Sequence, residues 1–205
     1  MLWCDLSSST DITAFVLIFP PTEEDENYYV LPYFWIPEEN MEKRVAKDHV
    51  PYDIWYQQNL LEATEGNVIH YGYIEQFIDE LGKMYNIKEI AFDRWGAVQM
   101  SQNLENLGFT IIPFGQGFKD MSPPTKELMN LVLSGKLKHN GHPVLRWMMD
   151  NVCVRSDPAG NIKMDKAKST EKIDGAVALV MALDRAIRNQ GSSESVYDSR
   201  GLLFI

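Results

Sequence analysis

Apolar and polar positions alternate along the chain in blocks that predict its elements. Leu2-Trp3-Cys4 runs into Asp5, a polar turn covers Ser7 to Asp11, and a second apolar run from Ile12 to Phe19 reads as the returning strand of a hairpin. Pro20-Pro21 and the acidic Glu23-Glu24-Asp25-Glu26 form a solvated loop. Tyr28 to Ile36 then reads as a third strand, completing an antiparallel meander. Residues 37–66 read as an insertion: Glu38 to Asp48 as a short charged helix, and Pro51 to Tyr56 as the start of another. Val68 to Tyr71 predicts a short strand, and Ile74, Phe77, Ile78, Leu81 and Met84 recur at helical spacing.

Lys88 to Asp93 is again an apolar strand ending in an aspartate. A helix follows from about Ala97 to Leu107, with Gly108 as its cap, and Thr110 to Pro113 is one more strand. This order is a βαβ unit, so the second half of the sheet is parallel where the first is antiparallel. Ser122-Pro123-Pro124 opens a helix to about Ser134 with Gly135 as its stop, and Pro143 to Asn151 forms another. Val152 to Asp157 and Asn161 to Met164 flank Pro158-Ala159-Gly160, a hairpin signal. Ala176 to Leu183 is apolar all round, which predicts a helix packed on the sheet and covered further. Residues 190–205 read as a flexible tail.

Asp5 and Asp93 therefore both end central strands, where open α/β sheets place their sites. A lone carboxylate buried there is costly and needs a proton or a cation, unless it only caps the turn amides that follow. Two carboxylates at neighbouring strand tips repel unless a cation joins them. Asp174 lies in the first turns of the last helix, where the macrodipole alone accounts for an acid.

At 205 residues, with 45% hydrophobic and 23% charged residues, the chain suits one domain with a real core. It has no apolar span of membrane length and no signal-like start. Cys4 and Cys153 read as buried reduced thiols in a cytosolic protein. A net charge of −10 argues against a general nucleic-acid coat, although carboxylates that hold divalent cations would supply the positive charge phosphate needs.

The meander, βαβ continuation and late helix, with one aspartate on each, look like the ribonuclease H-like fold: a mixed sheet of five or more strands, helices on both faces and an added hairpin. Three segments narrow this: Asp5-Leu6-Ser7-Ser8-Ser9-Thr10-Asp11, Phe92-Asp93-Arg94-Trp95-Gly96-Ala97, and Lys168-Ser169-Thr170-Glu171-Lys172-Ile173-Asp174-Gly175-Ala176-Val177-Ala178-Leu179. Together they resemble the nuclease domain of tailed-bacteriophage large terminase subunits. The resemblance implies a nuclease domain over residues 1–190, and a separate ATPase half. This chain lacks the G-x-x-x-x-G-K-[ST] loop of such a half, so it reads as an excised C-terminal domain.

The resemblance also implies that Asp5, Asp93 and Asp174 are catalytic and hold two divalent cations, Mg²⁺ or Mn²⁺, with Asp5 bridging. Hydrolysis of concatemeric double-stranded DNA would follow by a two-metal mechanism. Asp11 is a candidate fourth ligand, with an Asx turn the commoner role for such a residue. Arg94, Lys166 and Lys168 are candidate DNA contacts, with plain surface residues as the other reading. Implied partners are double-stranded DNA, the ATPase half, the portal and the small terminase subunit. The isolated domain is expected as a monomer, working in the host cytoplasm at the procapsid portal. Two other readings are a Holliday-junction resolvase or transposase-like enzyme of the same fold, and a non-catalytic docking module for the portal or ATPase half.

Overall fold

The computed structural model describes residues 2–5, as backbone, together with 12–39, 41–93 and 98–190. β1 (Leu2–Asp5), β2 (Thr13–Phe19) and β3 (Tyr28–Pro37) form the expected antiparallel meander, with Cys4 opposite Phe15 and Phe15 opposite Tyr33. α1 (Met41–Asp48), α2 (Tyr52–Gln57) and β4 (Glu62–Thr64) follow. α3 (Tyr71–Met84), β5 (Ile90–Asp93), α4 (Val98–Asn106) and β6 (Ile111–Phe114) continue the chain. α5 (Phe118–Leu133), β7 (Leu137–Lys138), α6 (Pro143–Asp150), the hairpin β8 (Val154–Ser156) and β9 (Ile162–Met164), and α7 (Asp174–Gln190) complete it.

The seven-stranded sheet runs β4-β3-β2-β1-β5-β6, with β7 added beside the start of β3, and β1, β5 and β6 lie parallel to one another. Alternation along β2 divides the core. Ala14, Val16 and Ile18 face α5, α6 and α7, while Phe15 and Leu17 face α3 and α4 with Trp35 and Phe92. Residues Ala176 to Leu183 of α7 are all buried, because the helix is packed between the sheet and flanking helices. This all-round burial is what its uniformly apolar sequence predicts.

Three expectations are corrected. Val68 to Tyr71 is not a strand: Val68 is 47% exposed and Tyr71 begins α3, whereas Glu62–Thr64 pairs in parallel with Trp35–Pro37. The edge partner was thus chosen by reach to β3 and not by local apolarity. The helix expected to open at Ser122 begins at Phe118, so Pro123 and Pro124 lie inside it. Neither can donate to the carbonyls of Lys119 and Asp120, and Thr125 Oγ1 donates to the Met121 carbonyl at 2.7 Å within the same turn. Cys153 is a free thiol but only half-buried, because it precedes the exposed hairpin. The tail 191–205 lies outside the described residues.

Candidate functional site

β1 and β5 pair in parallel with Trp3 beside Ala91 and Cys4 beside Phe92. One residue further on, the backbones of Asp5 and Asp93 are level, on adjacent strands about 4.8 Å apart. On its other side Asp5 pairs with Ala14, and Asp93 pairs with Phe114 of β6. The two acids thus end the two central parallel strands side by side.

The height of Asp174 follows from the anchoring of its helix. Arg185 Nε donates to Glu89 Oε2 at 2.7 Å, and Asn189 Nδ2 to the same oxygen at 2.9 Å, which pins the last turns of α7 to the residue before β5. From Arg185 back to Asp174 the helix rises about 16 Å, and from Glu89 to Asp93 the strand advances about 13 Å. α7 packs on β1, β2 and β5, so its first turn reaches the level of the two strand tips. Three acids distant in sequence are brought to one end of the sheet by register and helix length.

Asp174 is 5% exposed, a placement that needs a counter-charge. Lys166 supplies it, with Nζ 2.7 Å from Asp174 Oδ1, and the N-terminus of α7 adds its partial positive charge. The half-buried Asp93 accepts a hydrogen bond at Oδ2 from Gln116 Nε2 at 2.9 Å. Two small clefts lie here. One of about 260 Å³ is lined by Lys166, Glu171, Lys172 and Asp174. The other, of about 220 Å³, is lined by Gln116, Arg155, Lys163, Asp165, Lys166 and Val177. Lys166 borders both, and their linings mix lysine and arginine with carboxylates.

Hard carboxylate oxygens at this end, one already neutralised by an ammonium, fit a divalent cation such as Mg²⁺ or Mn²⁺. Among the described residues no group of three His, Cys, Asp or Glu side chains forms a metal cage. The side chain of Asp5 is not among those residues. Asp11 and Arg94 also lie outside them. Lys168 is exposed two residues from Lys166, which is itself exposed while its ammonium is engaged by Asp174.

Sequence reasoning passed over Gln116 and Lys163. Lys163 Nζ donates to the Gln116 carbonyl at 3.1 Å and lies 5.5 Å from the Phe118 ring centre. The signal for Gln116 was its place in Gly115-Gln116-Gly117, directly after a strand parallel to the one that ends in Asp93.

It also passed over a latch between the insertion and the approach to Asp174. Lys172 Nζ lies 3.0 Å from Asp48 Oδ2, and the Tyr52 hydroxyl donates to that same oxygen at 3.1 Å. Burial pushes the Asp48 carboxyl up, but the hydrogen bond and charge of Lys172, helped by Tyr52, outweigh it and hold the group below its ordinary value. Burial, reinforced by the charge of Asp48, raises Tyr52. Lys172→Met is expected to cost about 1–2 kcal/mol at pH 7, measured by urea unfolding. Because the folded Asp48 titrates lower than the unfolded one, its contribution is present above about pH 4 and is lost as pH falls through the depressed value. The difference between wild type and variant should therefore shrink at pH 3.

The fold agrees with comparisons to known proteins. The family model described as "Terminase large subunit, endonuclease domain" matches residues 1–190. The chain is 38% identical over 184 residues to the terminase large subunit of Enterobacteria phage HK97, covering 89% of this chain and 36% of that protein. It is 29% identical over 194 residues to protein YmfN of Escherichia coli K12, covering 89% of this chain and 42% of that one. The chain thus spans about two fifths or less of the length of these relatives. The crystal structure of the HK97 large terminase superposes with a TM-score of 0.83 at 36% identity, over 90% of this chain and 38% of that one. The magnesium-bound large terminase nuclease of thermophilic phage G20c superposes with a TM-score of 0.56 at 13% identity, over 90% of this chain and 79% of that one, a likeness of fold alone. The mixed sheet with helices on both faces is the ribonuclease H-like fold of these nucleases, and the chain belongs to the endonuclease-domain family of terminase large subunits.

Proposed function

We propose that this chain is a metal-dependent endonuclease domain that cuts double-stranded DNA during viral genome packaging. The observation that carries the reading is the common level of Asp5, Asp93 and Asp174 at one end of the sheet. A docking module has no need of three acids at one level, and carboxylates brought together there favour cations between them. The large terminase nuclease of phage G20c has been solved with bound magnesium and with bound cobalt, which supports divalent metal here.

Asp5, Asp93 and Asp174 would hold two divalent cations, Mg²⁺ or Mn²⁺, with Asp5 between the other two and Asp11 as a further candidate. Such ions, when bound, supply an activated water and Lewis-acid stabilisation of the phosphodiester oxygens. The protein's own part is to place the carboxylates and present positive charge to the backbone of the DNA. Lys166, exchanging Asp174 for a phosphate, acts with Lys168 and Arg94 in that second role, and Lys163 and Arg155 extend it along the hairpin. The described residues lining the two clefts include no histidine, so solvent would take up the proton of the attacking water. In the assembled motor the partners would be the ATPase part of the subunit, the portal and the small subunit, in the host cytoplasm. The domain alone would be a monomer.

The test is conversion of supercoiled plasmid to nicked and linear forms by this chain in Mn²⁺, with activity abolished by EDTA and restored by added Mn²⁺. Cutting that persists in chelator would overturn metal dependence, and absence of cutting at any Mn²⁺ concentration would overturn the endonuclease. Preference for a four-way junction over linear duplex would move the reading to a resolvase.

A further inference from the structure

Gln116 touches a proposed metal ligand with a group that carries no charge. Its Nε2 donates to Asp93 Oδ2 at 2.9 Å, and its backbone carbonyl oxygen accepts in turn from Lys163 Nζ at 3.1 Å. Lys163 comes from β9, and its ammonium lies over the ring of Phe118, the first residue of α5. The loop that presents Gln116 is thereby tied to the hairpin on one side, and on the other to β6, whose Phe114 pairs with Asp93 itself. The hairpin is tied to α5 a second time, since the Ile162 amide donates to Ser122 Oγ at 3.1 Å.

Lys166 neutralises Asp174, so the ammonium competes with any cation for that carboxylate. The amide of Gln116 adds no charge of its own, so it can keep its hydrogen bond to one oxygen of Asp93 while that carboxylate takes a metal. A hydrogen bond of this kind fixes the rotamer and the plane of a ligating carboxylate, and losing such outer partners typically weakens metal binding by about 10- to 100-fold.

We infer that Gln116 is a positioning residue for the metal site, setting the orientation of Asp93, and that Lys163 couples this orientation to the β8–β9 hairpin. The inference rests on the proposed role of Asp93 as a ligand.

The test is Mn²⁺ binding to the 205-residue chain, by calorimetry and by the electron paramagnetic resonance signal of free Mn²⁺, with nicking measured as a function of Mn²⁺ concentration. Gln116→Met keeps the length of the side chain and removes the donor; Gln116→Asn keeps the donor but is one methylene short. Both are expected to melt as wild type, to bind Mn²⁺ about tenfold more weakly, and to need correspondingly more Mn²⁺ for half-maximal nicking. Lys163→Met should give a smaller shift in the same direction. Wild-type Mn²⁺ affinity in either folded glutamine variant, or failure of both to fold, would overturn the inference, the latter by making Gln116 part of the scaffold. No Mn²⁺ binding by wild type, or wild-type binding by Asp93→Asn, would instead overturn the reading of the site on which it rests.

Discussion

Asp174→Asn is expected to lose plasmid nicking in Mn²⁺ by roughly 10³-fold or more. Removing one charged ligand forfeits several kcal/mol of transition-state stabilisation, and each 1.36 kcal/mol is a factor of ten in rate. The variant should fold. Asparagine is isosteric with aspartate, and the Lys166 side chain it releases is 41% exposed and can turn to solvent. A melting temperature close to wild type, together with lost nicking, would assign the effect to chemistry. Nicking equal to wild type would remove Asp174 from the catalytic set and leave its pair with Lys166 as a structural cap on α7.

Gly175→Ala is expected to strike stability and activity together. A methyl on Gly175 would sit 2.7 Å from Phe34 Cε1 and 2.8 Å from Met148 Sδ. Neither neighbour is a loose end. Phe34 is 1% exposed in the middle of β3 with its ring against His142, and Met148 is fully buried, its sulfur accepting the Gly175 amide at 3.0 Å. Overpacking of this kind costs about 1–3 kcal/mol, from which alanine's better helix propensity, about 1 kcal/mol, is subtracted. A net loss of about 0–2 kcal/mol should lower the melting temperature by up to roughly 8 °C in a chain of this size. If α7 yields instead of the core, its first turn moves and takes Asp174 with it. A misplacement approaching 1 Å can cost about 100-fold in rate. An unchanged melting temperature with full nicking would show that the Phe34 and Met148 side chains repack freely and that the close approach is not required.

Most of the architecture was legible in the residues because it depends on local periodicity. The meander, the βαβ unit, the Pro158-Ala159-Gly160 hairpin and the buried last helix were each predicted from spacing and turn chemistry. Their structural bounds differ by a few residues, as at β3 and α4. The corrections fall where a distant partner overrode local preference. Glu62–Thr64, with one buried residue in three, became a strand because β3 offered it an edge, while the more apolar Val68 to Tyr71 did not. α5 started four residues early despite its two prolines, because Met121 and the Ser122 hydroxyl found places against the sheet and the hairpin.

By itself the sequence determined which elements form and that two aspartates end neighbouring apolar strands, since strand ends and helix starts are read from residues a few positions apart. Only the tertiary structure decided what those acids meet. Gln116 reaches Asp93 across 23 residues, and Lys172 reaches Asp48 across 124. Even Lys166, an exposed residue eight positions from Asp174, has its ammonium fixed by that buried carboxylate, which nothing in its own local sequence specifies. The reason is physical: a strand or helix is chosen by short-range sterics and solvent, whereas the partner of a buried charge is chosen by whatever the packed chain brings within hydrogen-bond reach.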